Sequence, residues 1–256
     1  MARYFVDTSC LVGMSFLHDS WYRDAKLLYD EGNDIVLTEF VFYEYCNRDR
    51  ENDPSIVGDP TTLDVTHDGR EGVFGKKYEE LENILPHFER HIDQLAIDGL
   101  TMNKLVKSFI EHFDIRDDDI PAVVAYFENY FESRELIAAN AKPCVKDLID
   151  SILYVAQKNK QRILDAADVL PSVYHEQDEI RRQIGDIINP WNLPDEDRDV
   201  IVDAIHLSNR GEIDMMVTGD KKHQLRLQED IGDLFDLKII SIADKFQNPE
   251  LRDGYL

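Results

Sequence analysis

Short runs of apolar residues stand near both ends of the chain, at 4–6, 35–37, 215–217 and 238–242. Runs of this length are typical of strands buried on both faces of a sheet. Apolar residues at helical spacing extend from the first run to about residue 30, and they recur over 40–45 and 194–209. This alternation predicts an α/β fold, a parallel sheet with helices on both faces.

The middle of the chain has a different pattern. Residues 49–75 are polar and rich in Gly, Pro, Asp and Thr, which is typical of a long loop or linker. Apolar stripes at helical spacing then cover 76–95, 101–113, 119–131 and 143–153, and we expect more helix to about residue 184. Residues 187–188, just before Asn189 and Pro190, are a further candidate strand. These patterns predict a discontinuous α/β domain (1–50 and 184–256) and a linker with an all-helical subdomain (51–183).

The composition indicates a globular chain with an unusual charge. Of the 256 residues, 43% are hydrophobic, and no apolar stretch approaches the ~18 residues of a membrane helix. The start of the chain has no secretory apolar region, and the three cysteines are widely spaced, so we expect a cytoplasmic protein. The net charge of −24 fits either a basic partner or a salty cytoplasm, and the even spread of the acids favours the salty cytoplasm. Near 1 M salt the Debye length is about 3 Å, so an acidic surface would still admit a nucleic acid.

Four acidic residues are candidates for one site because of their places in the predicted elements. Asp7 and Asp220 follow strands, Asp203 lies in the first turns of a helix, and Glu44 lies one to two turns into the helix after the second strand. In a parallel sheet all four converge on the carboxyl edge, where the ligands of open α/β sheets bind. Two neighbouring carboxylates repel by up to ~4 kcal/mol at an effective dielectric of ~20, so we expect a cation among them. Oxygen ligands with open positions suit Mg²⁺ or Mn²⁺, which can activate water for phosphodiester hydrolysis.

Four motifs in order resemble the PIN domain, a family of metal-dependent nucleases that includes the toxins of many toxin–antitoxin pairs. They are YFVDTS (4–9), IVLTEFVFYE (35–44), DAIHL (203–207) and MVTGDKKH (216–223), in two regions that make up about half of the chain. The resemblance implies a three-layer α/β/α sheet domain and a metal held by the four catalytic acids. It also implies that Ser9 and Thr218 are polar neighbours of these acids.

The chain departs from the PIN pattern in the spacing of its acids. Glu44 and Asp203 stand 159 positions apart, far more than is usual in the family, and an inserted helical subdomain would explain the distance. Asp150 also precedes an apolar helical pattern, but no strand ending in Thr-x-Asp follows it, so we prefer Asp203 as the third acid. Asp199, one turn earlier, is either an auxiliary acid or a solvated surface residue.

Basic residues near the predicted site are candidates for contact with a phosphate backbone: Lys221, Lys222 and Arg226. A solvated helix face explains them equally well. His206 and His223 have no partner at zinc-ligand spacing, and we expect both to be incidental.

This sequence lacks residues that other classes of protein need. A haloacid-dehalogenase-type phosphatase needs a second Asp where this chain has Ser9, and no glycine-rich phosphate loop follows either early strand. We therefore expect a Mg²⁺- or Mn²⁺-dependent endoribonuclease. The toxin of a toxin–antitoxin pair is one enzyme of this kind. The alternative is a catalytically inactive PIN-like scaffold that binds nucleic acid or protein. The expected partners are RNA, with an antitoxin protein and a second copy of the chain as further candidates, and no membrane.

Overall fold

The computed structural model describes residues 2–30, 32–46, 72–98, 101–137, 140–188 and 193–245. Its centre is a five-stranded parallel sheet with the strand order β3-β2-β1-β4-β5. The strands are β1 (Arg3–Val6), β2 (Asp34–Thr38), β3 (Asp168–Leu170), β4 (Met215–Thr218) and β5 (Ile239–Ser241). The α/β fold with a parallel sheet, predicted from the apolar runs, is confirmed.

Helices make up most of the remaining described chain. They are α1 (Thr8–Ser15), α2 (Tyr22–Asp30), α3 (Glu39–Cys46), α4 (Val73–Asn83), α5 (Leu85–Asp98), α6 (Met102–Phe113), α7 (Ile120–Phe131), α8 (Ala141–Ala166), α9 (Asp178–Ile188), α10 (Asp195–Asn209), α11 (Gln228–Phe235) and α12 (Ile242–Lys245). Short 3-10 helices lie at Tyr174–Glu176 and Gln224–Leu227. Among the described residues, no helix is long and apolar enough to cross a membrane.

The order of the strands creates a topological switch point between β1 and β4. The chain adds β2 and β3 on one side of β1 and then returns to place β4 and β5 on the other side. Val6 pairs with Val217, so the residues that follow β1 and β4 lie side by side at the carboxyl edge. In open α/β sheets ligands bind at this kind of position.

The buried apolar residues form two clusters. The first surrounds the sheet and includes residues from all strands but β3, together with α1, α3 and α10. The second lies among α4 to α8 and is rich in aromatic residues such as Phe88, Phe109 and Phe127. Helix α8 contributes to both, since Leu148 lies in the second cluster and Ile163 in the first. This long helix therefore joins the two cores.

The structure corrects the sequence prediction at three places. The first predicted helix is two helices, because the chain leaves helical geometry at Phe16 and resumes it at Tyr22. The helix expected to continue to about residue 184 ends at Ala166, and the next residues form β3 on the edge of the sheet. Residues 187–188 are not a strand but the end of α9.

Some predictions fall on residues that the structure does not describe. Most of the predicted loop at 49–75 and the tail from 249 lie outside the described ranges. Between 73 and 166, the described residues form helices and the connections between them, and β3 is the nearest strand that follows.

Candidate functional site

Asp7 follows β1 at the switch point and caps the N-terminus of α1. Its Oδ1 accepts hydrogen bonds from the Cys10 amide (3.1 Å) and the Ser9 hydroxyl (2.6 Å). Its Oδ2 accepts one from the Thr218 hydroxyl (2.6 Å) at the end of β4. Burial raises the pKa of Asp7, and these hydrogen bonds act in the opposite direction. Both oxygens of this buried carboxylate are therefore held in fixed positions.

The same two hydroxyls also hold the turn that follows β4. The Ser9 hydroxyl accepts a hydrogen bond from the Gly219 amide (2.8 Å), and the Thr218 hydroxyl accepts one from the Asp220 amide (2.9 Å). Each hydroxyl thus accepts a hydrogen bond from the β4 turn and donates one to Asp7. Ser9 and Thr218, nominated as polar neighbours of the acids, lie in direct contact with the first of them.

Glu44 approaches this group from α3. The Thr8 hydroxyl, on the residue that follows Asp7, donates to Oε2 of Glu44 at 2.5 Å. The charge of Glu44 also reaches the opposite side of the site, where it helps to raise the pKa of Asp197. The carboxylates of α3 and α10 therefore lie within electrostatic range of each other.

Helix α10 contributes Asp197, which lies in its first turn, to the acids at the switch point. Its Oδ2 lies 3.2 Å from Nδ1 of His223, and its Oδ1 lies 3.4 Å from Nε2 of Gln224. Burial, and to a smaller extent the charges of Asp220, Glu44 and Asp7, raise the pKa of Asp197 to about 6, whereas His223 acts in the opposite direction.

Asp220 and His223 form a compact turn after β4. Oδ1 of Asp220 accepts hydrogen bonds from the backbone amides of Lys222 (2.8 Å) and His223 (3.0 Å). Its Oδ2 lies 3.0 Å from the His223 ring nitrogen Nδ1. Asp197, Asp220 and His223 each offer one ligand atom, and these atoms lie within 4.8 Å of one another. The three residues could hold a metal ion.

Asp203, the third acid expected from the sequence, has a different environment. It is fully buried, and its Oδ1 accepts a hydrogen bond from the Val173 amide (2.9 Å), which follows β3. Burial raises the pKa of Asp203 to about 6, against the effect of hydrogen bonds from Ser172 and Val173. Asp203 follows Asp197 by six positions, which turns its side chain by about 240° around an α-helix. The structure therefore corrects the expected position: Asp197 contacts the β4 turn, and Asp203 holds the turn after β3.

The two other acids that were considered lie elsewhere. Asp199 forms ion pairs with Arg181 (3.1 Å) and Arg198 (3.7 Å). Asp150 lies exposed on α8. The sequence signal that could have found Asp197 is the acidic run 195–197, because the first turn of a helix that begins at the carboxyl edge is the part that can reach a strand end. His223 was expected to be incidental, although Asp220 three positions earlier places it beside the acids.

Two basic side chains near the site lie close to the ring of Trp21. Lys221 has its Nζ 5.2 Å from the centre of the indole ring, whereas Lys222 and Arg226 lie exposed on the same segment. The guanidinium of Arg116, which follows α6, lies 4.7 Å from the same ring. The sequence prediction placed neither Trp21 nor Arg116 at the site, because no motif connects two residues so far apart in the chain.

Comparisons with known proteins returned no relative. No protein-family model matches the chain, and no curated protein or solved structure does so either. The resemblance to PIN domains therefore depends on the four sequence motifs.

Proposed function

We propose that this protein is a PIN-like, Mg²⁺- or Mn²⁺-dependent endoribonuclease whose α/β/α sheet domain carries an inserted helical subdomain. The observation that supports this function best is the meeting of acids from four different elements at the switch point. Asp7 follows β1, Glu44 lies on α3, Asp197 on α10, and Asp220 follows β4. A fold that placed these residues only for stability would have little use for several carboxylates whose charges raise the pKa of Asp197.

The donor set fits a divalent cation. Asp197, Asp220 and His223 present converging ligand atoms, and the charges of Asp7 and Glu44 act on the same place. When bound, such an ion supplies an activated water and compensates charge on the phosphodiester. The chain's own contribution is orientation: the Ser9 and Thr218 hydroxyls fix both oxygens of Asp7, and the Thr8 hydroxyl fixes Glu44.

Trp21 suggests how a single strand could lie beside this site. Its indole ring contacts the Gly219 turn, with Lys221 and Arg116 near the ring. Stacking of a base on an aromatic ring contributes about 1–3 kcal/mol and needs no sequence preference. Lys221, Lys222 and Arg226 would contact phosphates, and high salt would screen the general repulsion from a chain of net charge −24.

The test is cleavage of a single-stranded RNA in about 1 M salt with Mg²⁺, with Mn²⁺ and with chelator. We expect cleavage that requires the metal and is lost in Asp220→Asn but retained in Asp199→Asn, a matched change on α10 away from the cluster. RNA binding without cleavage in every metal would instead support the scaffold alternative. An antitoxin-like reading frame beside the gene would support the toxin form.

A further inference from the structure

The turn at 220–223 builds a mixed carboxylate and imidazole site. The backbone amides of Lys222 and His223 hold Oδ1 of Asp220, which leaves its Oδ2 facing the His223 ring at 3.0 Å. Oδ2 of Asp197 approaches the same ring nitrogen, Nδ1, at 3.2 Å from the first turn of α10. One nitrogen therefore stands between two carboxylates that come from different elements.

These distances match the spacing of ligands around an octahedral ion. Ligand atoms about 2.1 Å from a small divalent cation lie about 3.0 Å apart when they are neighbours in the octahedron. The two N···O distances of 3.0 and 3.2 Å are close to this value, and all three atoms lie within 4.8 Å of one another. A cation held by these three atoms would need only a small movement of the side chains.

The charges around His223 favour a cation at this position. Asp197 and Asp220 face the ring nitrogen directly, and Asp7 and Glu44 also act electrostatically on Asp197. A divalent ion held by the ring nitrogen and the two carboxylates would compensate this negative charge.

We propose that His223 is a nitrogen ligand of the metal, and that it makes the site prefer Mn²⁺ or a similar first-row ion to Mg²⁺. This inference rests on the metal site of the proposed function. Imidazole is a good ligand for first-row transition ions, whereas Mg²⁺ prefers oxygen and keeps several waters. A site of carboxylates alone would discriminate less between these ions.

The experiment measures Mn²⁺ and Mg²⁺ binding to the full chain by calorimetry and records pulsed electron paramagnetic resonance with Mn²⁺ bound. Wild type is compared with His223→Gln, and His206→Gln on α10 is the matched control. We expect a nitrogen coupling to Mn²⁺ in wild type and in His206→Gln that is lost in His223→Gln. His223→Gln should also bind Mn²⁺ at least about tenfold more weakly, with a smaller change for Mg²⁺.

Each outcome decides between the two proposals. If Mn²⁺ binds to wild type without a nitrogen coupling, or if His223→Gln keeps the coupling, His223 is not a ligand, although the nuclease proposal stands. If neither ion binds to wild type, both the ligand assignment and the metal-dependent function are overturned. A circular dichroism spectrum of each variant shows whether a loss of binding reflects a loss of fold.

Discussion

The indole nitrogen of Trp21 lies so close to Gly219 that a Cβ on this glycine would be 2.6 Å from it. The same Cβ would lie 2.9 Å from the hydroxyl oxygen of Ser9. The turn after β4 therefore needs a residue without a side chain, because Ser9 and Trp21 occupy the space on that side.

This contact predicts the effect of Gly219→Ala. The new methyl group must displace Trp21 and the Ser9 hydroxyl that bonds to Asp7, so we expect a loss of about 1–3 kcal/mol in the free energy of unfolding. RNA cleavage should fall together with this stability.

Chemical denaturation measures the loss of stability, with Gly185→Ala as the control. Gly185 lies in α9 with nothing within 4 Å of its Cβ position, so that change should stabilise by about 0.5–1 kcal/mol. Equal effects of the two changes would contradict the prediction.

Asp197→Asn and Asp203→Asn should differ in their response to metal. Mn²⁺ at a hundred times its dissociation constant should stabilise wild type by about 2.7 kcal/mol. Asp203→Asn should keep this stabilisation, because Asp203 contacts the turn after β3. Asp197→Asn should lose most of it, because it removes charge from the cluster with Asp220 and His223. Thermal unfolding in high salt, with and without Mn²⁺, measures both variants, and the reverse result would restore Asp203 as the third acid.

The burial of the His18 ring predicts that the stability of the fold depends on pH. It is 3% exposed, both ring nitrogens lack a hydrogen-bond partner in the described structure, and Phe16, Phe109 and Phe113 surround the ring. Burial, and to a smaller extent the charges of Lys77 and His112, lower the pKa of His18 to about 3. Below pH 6.5 the His18 ring binds a proton in the unfolded chain but not in the folded chain. The free energy of unfolding therefore falls as the pH decreases from 6.5 towards 3.

The expected contribution of His18 is a loss of about 2 kcal/mol between pH 7 and pH 5. His18→Phe, which keeps an aromatic ring among these neighbours, should reduce the wild-type pH slope by this amount. Denaturant unfolding at the two pH values measures the difference, in which the contributions of the carboxylates cancel. His206→Gln leaves His18 in place and should keep the wild-type slope. A slope unchanged in His18→Phe would show that the buried ring does not control acid stability.

The ion pairs of Arg116 connect the segment after α6 to α2, and we expect them to contribute to stability. Its guanidinium pairs with Asp119, which is fully buried, and with Asp24 on α2 at 3.1 Å. Arg116→Met should leave the Asp119 carboxylate without its main partner, so we expect a loss of about 1–3 kcal/mol. Lys107→Met removes a well-exposed pair with Glu111 and should change stability by less than about 0.5 kcal/mol. Similar effects would mean that the Arg116 pair behaves as an ordinary surface pair.

The sequence predicted the elements that carry a strong local signal. β1, β2, β4 and β5 lie where apolar runs occur, and an acid follows β1 directly and β4 within two residues. β3 was missed because it has only three residues, none of them fully buried, on the edge of the sheet. The break between α1 and α2 was missed because residues 16–21 contain neither Gly nor Pro.

The third acid could not be chosen from the sequence for a related reason. Helix α10 carries acids at 195, 196, 197, 199 and 203, and helical periodicity does not tell which turn contacts β4. That depends on how the helix crosses the sheet, which is set by the packing of Val200, Ile201 and Ala204 in the sheet core. Asp7 and Asp220 could be predicted as site residues because Asp7 follows β1 directly and Asp220 follows β4 by two residues. The end of a strand fixes the position of the residues that come next at the edge of the sheet.

The pairing of β1 with β4 also determines when the site can exist during synthesis. Asp7 is translated more than two hundred residues before its hydrogen-bond partner Thr218 and before Asp220. At about 5–20 residues per second, roughly 10 to 40 s separate them on the ribosome. Until then the central strand has only one of its neighbours, and the acids of the cluster are not together. A nascent chain would therefore lack the assembled cluster of acids until β4 and the turn after it have been synthesised.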